Sequence, residues 1–345
     1  MRFSAHRGAA VRYPAVVTSP PHPLCVLIPV YDDWEPARAV VQELDRVLAG
    51  VGVGGARLVI VDDASPTTVP ADWLASPLAA FADVECLRLR NNLGHQRAIA
   101  IGLAFIEAER PSAAVVIQDS DGEDRPLDVP RLLDAFAAKG GREAVFAERT
   151  RRSERLSFRV LYRLYKAFHW LVTGVRVRVG NFSVLPRSAV ERLVTNPELW
   201  SHYAATVIAS RVPHTMIPTD RGVRIAGRSK MTFVKLVVHG LVAISVYADV
   251  VGVRLVGACA LAFGAALAAA GGVALANGVS GAPWSGGALI ATGLIGVVLL
   301  QTVLFAILFT FVMLVLRNNL SFVPRRDYRL FVADVTRVGG GTGAA

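Results

Sequence analysis

Apolar residues along this chain follow two spacings. Short β-branched runs at Leu24–Val30 (LCVLIPV), Arg57–Val61 (RLVIV), Val84–Leu89 and Ala113–Ile117 predict buried parallel strands, with a fifth over Arg142–Ala147. Between the first two, Ala37, Val40, Val41, Leu44, Val47 and Leu48 recur at helical spacing and predict an amphipathic helix over Trp34–Ala49. Further helices are predicted over Gln96–Glu109 and over LDVPRLLDAFAAK, just after Pro126. Strands alternating with helices predict an α/β fold with a mostly parallel, doubly wound sheet. The G-x-G-x-x-G pattern of Gly50–Gly55 follows a helix and precedes a strand, so it reads as a loop and not as a dinucleotide site.

Further along, the spacing changes. Leu156–Val172 interleaves aromatic and basic residues on a predicted helix, suited to a membrane interface. Gly180–Leu185 reads as a strand leaving a tight turn, and Met231–Tyr247 as an amphipathic stretch. Val250–Ala276 and Gly287–Leu316 are almost uniformly apolar, each long enough to span a bilayer core of about 20 residues. The loop between them, Asn277–Gly286, has no Lys or Arg, whereas Arg228, Lys230, Lys235 and Arg254 precede it and Arg317, Arg325, Arg326 and Arg329 follow. That asymmetry predicts a transmembrane hairpin with both flanks in the cytoplasm. The expected organisation is a flexible basic arm (1–23), a catalytic domain (24–226), a juxtamembrane segment (227–249), two membrane helices (250–276 and 287–316) and a basic cytoplasmic tail (317–345) whose Gly-rich end is disordered. Residues 1–23 lack a long apolar core and do not read as a signal peptide.

Composition agrees with a membrane protein. Hydrophobic residues make up 53% of the 345 positions, and the mean hydropathy is +0.45. The net charge of +10 flanks apolar segments, which favours anionic lipid and phosphate-bearing substrates over nucleic acid. The three cysteines, Cys25, Cys86 and Cys259, stand at no metal-ligand spacing and read as core residues of a reducing compartment. No H-x-x-x-H pair supports zinc chemistry.

The candidate chemistry centres on QDSDGED, Gln118–Asp124, directly after the fourth strand. Asp119 and Asp121 share a face of an extended segment, so both carboxylates can turn to one hard cation. Three strands end in acidic residues: Asp32 and Asp33, Asp62 and Asp63, Asp119 and Asp121. Open α/β sheets bind ligands at that edge, so the pattern points to a nucleotide and metal site. The basic run RTRRSER, Arg149–Arg155, follows the fifth strand and suits phosphate, since guanidinium matches its oxygens in two-pronged fashion.

These motifs, in this order, resemble the family-2 inverting glycosyltransferases of GT-A fold, and most nearly the membrane-anchored polyprenyl-phosphate glycosyltransferases that include the dolichol-phosphate mannose synthases. LIPVYDD, VDDAS, NNLGHQRAIAIGL, DSDGEDRPLDVPRLL, AERTRR, GNFSVL and GRSK carry the resemblance, over about Leu24 to Leu316. It implies that Pro29, Tyr31 and Asp33 line the base and ribose pocket with Asp63 opposite. It implies that Asp119 faces the diphosphate and metal, that Asp121 is a direct ligand, and that Glu123 stands near the Mg²⁺ or Mn²⁺ ion. Arg149 and Arg152 would meet acceptor phosphate. Asn181 and Ser183 depart from the aspartate and arginine of the family's G-D-F-R-L.

The activity so implied is transfer of a sugar, with inversion, from a nucleoside-diphosphate sugar to polyprenyl phosphate on the cytoplasmic face of the inner membrane. Two other readings stay open: transfer to a lipid or glycan hydroxyl, with Glu198 as candidate base, and a catalytically silent nucleotide-binding membrane scaffold. Nucleic acid is not an expected partner. The sugar, the choice of uridine or guanosine and the homo-oligomeric state are left open.

Overall fold

The computed structural model describes residues 22–70, 72–74, 77–149, 156–176, 179–225, 233–280, 286–318 and 322–338. In chain order the elements are β1 (His22–Val30), α1 (Trp34–Gly50), β2 (Ala56–Asp62), β3 (Phe81–Leu89), α2 (His95–Glu109), β4 (Ser112–Ile117), α3 (Val129–Ala138), β5 (Ala144–Arg149), α4 (Leu156–Thr173), β6 (Ser183–Pro186), α5 (Arg187–Leu193), α6 (Tyr203–Ala209), β7 (His214–Thr219), α7 (Phe233–Ser245), α8 (Ala248–Ser280), α9 (Gly286–Asn318), α10 (Pro324–Asp327) and β8 (Val332–Arg337). They fall into two compact units. One comprises Met1–Arg155, Arg178–Val246 and Phe322–Ala345, the other Leu156–Val177 and Tyr247–Ser321.

The first unit is built on a mostly parallel sheet of order β7-β5-β6-β4-β1-β2-β3-β8. β1 runs parallel to both β2 and β4. Both faces of these strands are covered, which is why they read as continuous apolar runs. One face packs Val40, Val41 and Leu44 of α1 with Leu132 and Leu133 of α3; the other packs Ile99, Leu103 and Phe105 of α2. Gly102 of α2 permits that second contact, since a Cβ there would lie 2.4 Å from Leu27 Cδ1. The chain winds β1→β2→β3 to one side and returns through β4 to the other side of β1. The strand order therefore reverses between β1 and β4, the place where such sheets open a crevice at their carboxyl ends.

Two strands depart from the parallel scheme. β6 lies antiparallel between β4 and β5. β8 lies antiparallel on β3 at the sheet edge. Within the segment read from sequence as a basic tail, 317–345, residues 324–337 pack in this unit. Tyr328 donates to Glu109 at 2.8 Å and its ring packs edge-on to Phe105. A six-residue strand exposed at every position after its first has too little apolar signal to be read locally. The Gly-rich end lies outside the described residues.

The second unit contains α4, α8 and α9. Residues Ala248–Val279 and Leu289–Met313 are long and apolar enough to cross a membrane, with mean hydropathies of 2.0 and 2.5. They form the candidate transmembrane hairpin. Small residues let the two helices approach: a Cβ on Gly252 would fall 2.7 Å from Thr310 Cγ2. Arg254, the one basic residue near the start of α8, donates to Leu171 O at 2.9 Å, satisfying a carbonyl at the end of α4.

Candidate active site

The carboxyl ends of β1, β2 and β4 bring the acidic strand ends to one edge. The β1 end is shaped by Asp32, whose φ of 52° turns the chain sharply. Its N–H donates to Ser65 Oγ at 2.8 Å, and its carboxylate accepts from Thr67 Oγ1 at 2.9 Å. Trp34 Nε1 donates to Thr67 O, and Trp73 Nε1 donates to Trp34 O. These bonds fasten the loop after β2 to the start of α1. Pro29 is buried within β1, and Tyr31 lies exposed just beyond it.

Asp63 is held by the turn that leads into α2, accepting from the N–H groups of Leu93 (2.7 Å) and Gly94 (2.8 Å). Gly94 has φ 89°, a conformation glycine adopts without strain. Burial, against these two N–H bonds and with the charge of Asp62 beside it, pushes the Asp63 carboxyl up to about 6.

The acidic loop after β4 is folded on itself. Gln118 Nε2 donates to Asp124 O (2.9 Å), Asp119 N–H to Asp124 Oδ2 (3.3 Å) and Glu123 N–H to Asp121 Oδ1 (2.9 Å). Gly122 turns the loop with φ 83°.

A strap, residues 220–225 after β7, lies against this loop. Gly222 N–H donates to Glu123 O at 2.8 Å and Ile225 N–H to Asp121 O at 3.0 Å. The contact is close enough that a Cβ on Gly222 would sit 2.3 Å from Gly122 O. Two arginines on the strap meet the carboxylates. Arg221 Nε donates to Glu123 Oε2 at 3.1 Å. Arg224 Nη2 donates to Asp121 Oδ2 at 3.1 Å and stands 3.8 Å from Asp33 Oδ2. Arg224 Nε is buried with no partner among the described residues. Burial raises the Asp121 carboxyl, and Arg224 opposes that rise.

Asp33, Asp121 and Glu123 are therefore linked through arginines that the sequence reading did not single out. An arginine pair bracketing a glycine after a short strand resembles any solvated loop, so the local signal was weak. Asp119 joins this edge through Asn181, whose Nδ2 lies 3.5 Å from Asp119 Oδ1. The register places Arg149 opposite Thr219, at the root of the strap. Arg152 lies outside the described residues. Glu198 sits in the 3-10 turn Pro197–Trp200, its N–H capped by Asn196.

A hard cation suits the donor set Asp119 and Asp121, carboxylates at an open edge. No three His, Cys, Asp or Glu side chains among the described residues are arranged to hold an ion alone. Oxygens from a diphosphate would have to complete the shell.

Residues 25–194 match the family model Glycosyl transferase family 2. Those residues, just under half of the chain, are similar to a family-2 glycosyltransferase domain. The match ends before the strap, α7 and the candidate membrane helices, so those parts rest on the structure alone. No curated protein sequence matches the chain significantly. Among solved structures, glucosyl-3-phosphoglycerate synthase from Mycobacterium tuberculosis, in complex with Mn²⁺, UDP-glucose and phosphoglyceric acid, is similar at 15% identity and TM-score 0.47, covering 67% of this chain and 80% of that one. S. aureus TarS 1–349 is similar at 10% identity and TM-score 0.39, covering 67% and 65%.

Proposed function

We propose that this family-2 domain transfers a sugar, with inversion, from a nucleoside-diphosphate sugar to polyprenyl phosphate at a membrane surface. The observation that carries this reading is the convergence of Asp33, Asp121 and Arg224 at the edge where the strand order reverses. Asp33 and Asp63 would line the base and ribose pocket with Pro29 and Tyr31. Asp119 and Asp121, with Glu123 near them, would hold Mg²⁺ or Mn²⁺. Such an ion, when bound, stabilises charge on the departing diphosphate.

The chain's own residues do the rest. Arg224 neutralises Asp121 before donor arrives, and its partnerless Nε offers a donor to an incoming phosphate oxygen. Arg149 and Arg152 would meet the acceptor phosphate. A phosphate is ionised at neutral pH, so its oxygen needs no general base to attack the anomeric carbon. The short link from α7 to α8 keeps the domain tethered to a segment apolar enough for a bilayer, where a prenyl tail resides. The catalytic domain would face the cytoplasm, on the inner membrane.

The test is a screen of nucleotide sugars against purified protein with polyprenyl phosphate and Mn²⁺, reading released nucleoside diphosphate and the lipid product. A mild-acid-labile phosphodiester is expected. A stable glycoside would move the acceptor to a hydroxyl, and nucleotide binding without turnover would leave a scaffold.

A further inference from the structure

We infer that Gln96 and Asn181 form an oriented amide relay that positions Asp119; this rests on the reading of Asp119 as the carboxylate facing the diphosphate. The relay starts from a group whose direction is not in question. The backbone N–H of Tyr203 can only donate, and it meets Gln96 Oε1 at 2.7 Å. The other end of that amide, Gln96 Nε2, is therefore the NH₂, and it donates to Asn181 Oδ1 at 3.0 Å. Asn181 is oriented in turn, so its NH₂ is the group that faces Asp119 Oδ1 at 3.5 Å. Each amide has one accepting and one donating end, so the direction propagates from the backbone to the carboxylate.

The surroundings hold the relay still. Gln96 is 8% exposed, and Ser183 and Tyr203 are wholly buried with their hydroxyls 2.6 Å apart. The strand register brings the ends together: Ile117 pairs with Ser183 in antiparallel β4 and β6, and two more residues along that register put Asn181 opposite Asp119. A carboxylate at 181 would still accept from Gln96 but would turn an oxygen toward Asp119. The amide is the side chain of that shape that accepts on one side and donates on the other. The departure from the family's aspartate is thereby given a physical role.

Gln96→Glu reverses the donating end of the relay and keeps the accepting one. A carboxylate there still accepts from Tyr203 N–H, so the fold keeps its contact. Its second oxygen can only accept, so Asn181 must reverse and present its carbonyl to Asp119. Assayed at pH 8 or above to hold the buried carboxylate ionised, Gln96→Glu should lower kcat about tenfold, with little change in KM for nucleotide sugar, at a cost in melting temperature from burying the charge. Gln96→Met, which loses both ends, should lower the melting temperature as well. Asn181→Ala should lower kcat similarly, and the Gln96→Glu/Asn181→Ala double variant should be no worse than either alone. In protein labelled with ¹⁵N-asparagine, the Asn181 side-chain signal, identified by its absence in Asn181→Ala, should move in Gln96→Glu. An unmoved signal, or additive losses in the double variant, overturns the relay. The signal is read without substrate. A moved signal in a protein that turns over no nucleotide sugar therefore supports the relay and overturns the proposed reaction.

Discussion

Arg224 Nη2 stands 3.1 Å from Asp121 Oδ2, and the two residues lie 103 positions apart in the chain. The strap that carries Arg224 is hydrogen-bonded to the backbone of the loop that carries Asp121. A charge-assisted bond between partly buried groups contributes about 1.5–3 kcal/mol. If that interaction passes to the diphosphate, Arg224→Ala should lower kcat/KM for nucleotide sugar roughly ten- to hundredfold. Arg224→Lys should recover only part of it, because an ammonium has no planar fork. Steady-state kinetics on the three proteins read this directly, and unchanged kinetics in Arg224→Ala would remove Arg224 from the site.

Asp121→Asn is expected to abolish turnover with a modest loss of melting temperature, since the amide oxygen can still accept from Glu123 N–H while the ion pair with Arg224 is given up. Calorimetry should show Mn²⁺-dependent binding of nucleoside diphosphate to the parent and loss of that dependence in the variant. Turnover near the parent level at saturating Mn²⁺ would refute Asp121 as a ligand.

A pH dependence is expected from α7. His202 Nδ1 accepts from Ala205 N–H, so its proton sits on Nε2, which donates across 3.2 Å to His239 Nε2. The ring of His95 also lies near His239, tilted by 36° with centroids 5.5 Å apart. Burial, then the neighbouring His95, holds His239 down at about 4, against 6.5 for an ordinary histidine. A lowered folded value means the unfolded chain binds the extra proton first. The contribution is therefore complete above about pH 6.5 and lost as pH falls toward 4. Melting temperatures from pH 7.5 to 4 should fall more steeply for the parent than for His239→Gln. Parallel curves would show that this cluster does not titrate with folding.

Membrane topology follows from charge. In a Cys259→Ala background, Ser280→Cys should react with an impermeant maleimide on intact cells and Ser321→Cys should not. The reverse pattern would overturn a cytoplasmic catalytic domain.

The parallel strands and their helices were legible because each run satisfies a local periodicity. β1, β2 and β4 bury both faces, and α1 places Val40, Val41 and Leu44 on one side. The acidic strand ends were legible for the same reason, since a carboxylate after a buried strand has a fixed address at the sheet edge. β7, α5 and α6 were missed. They are short, and their burial comes from neighbours far away in the chain.

By itself the sequence determined the strand-helix alternation, the two apolar helices and the edge that bears Asp33, Asp63, Asp119 and Asp121, because spacing and hydropathy act within a few residues. Tertiary structure decided that β6 enters antiparallel between β4 and β5, that the chain returns after α9 to lay β8 on β3, and that Arg224 covers Asp121. It also decided the direction of the Gln96 and Asn181 amides, which no composition can encode. The physical reason is the same in each case. A hydrogen bond or ion pair between distant residues leaves no periodic trace in the chain, and its partner is chosen only when the packed elements bring donor and acceptor within reach.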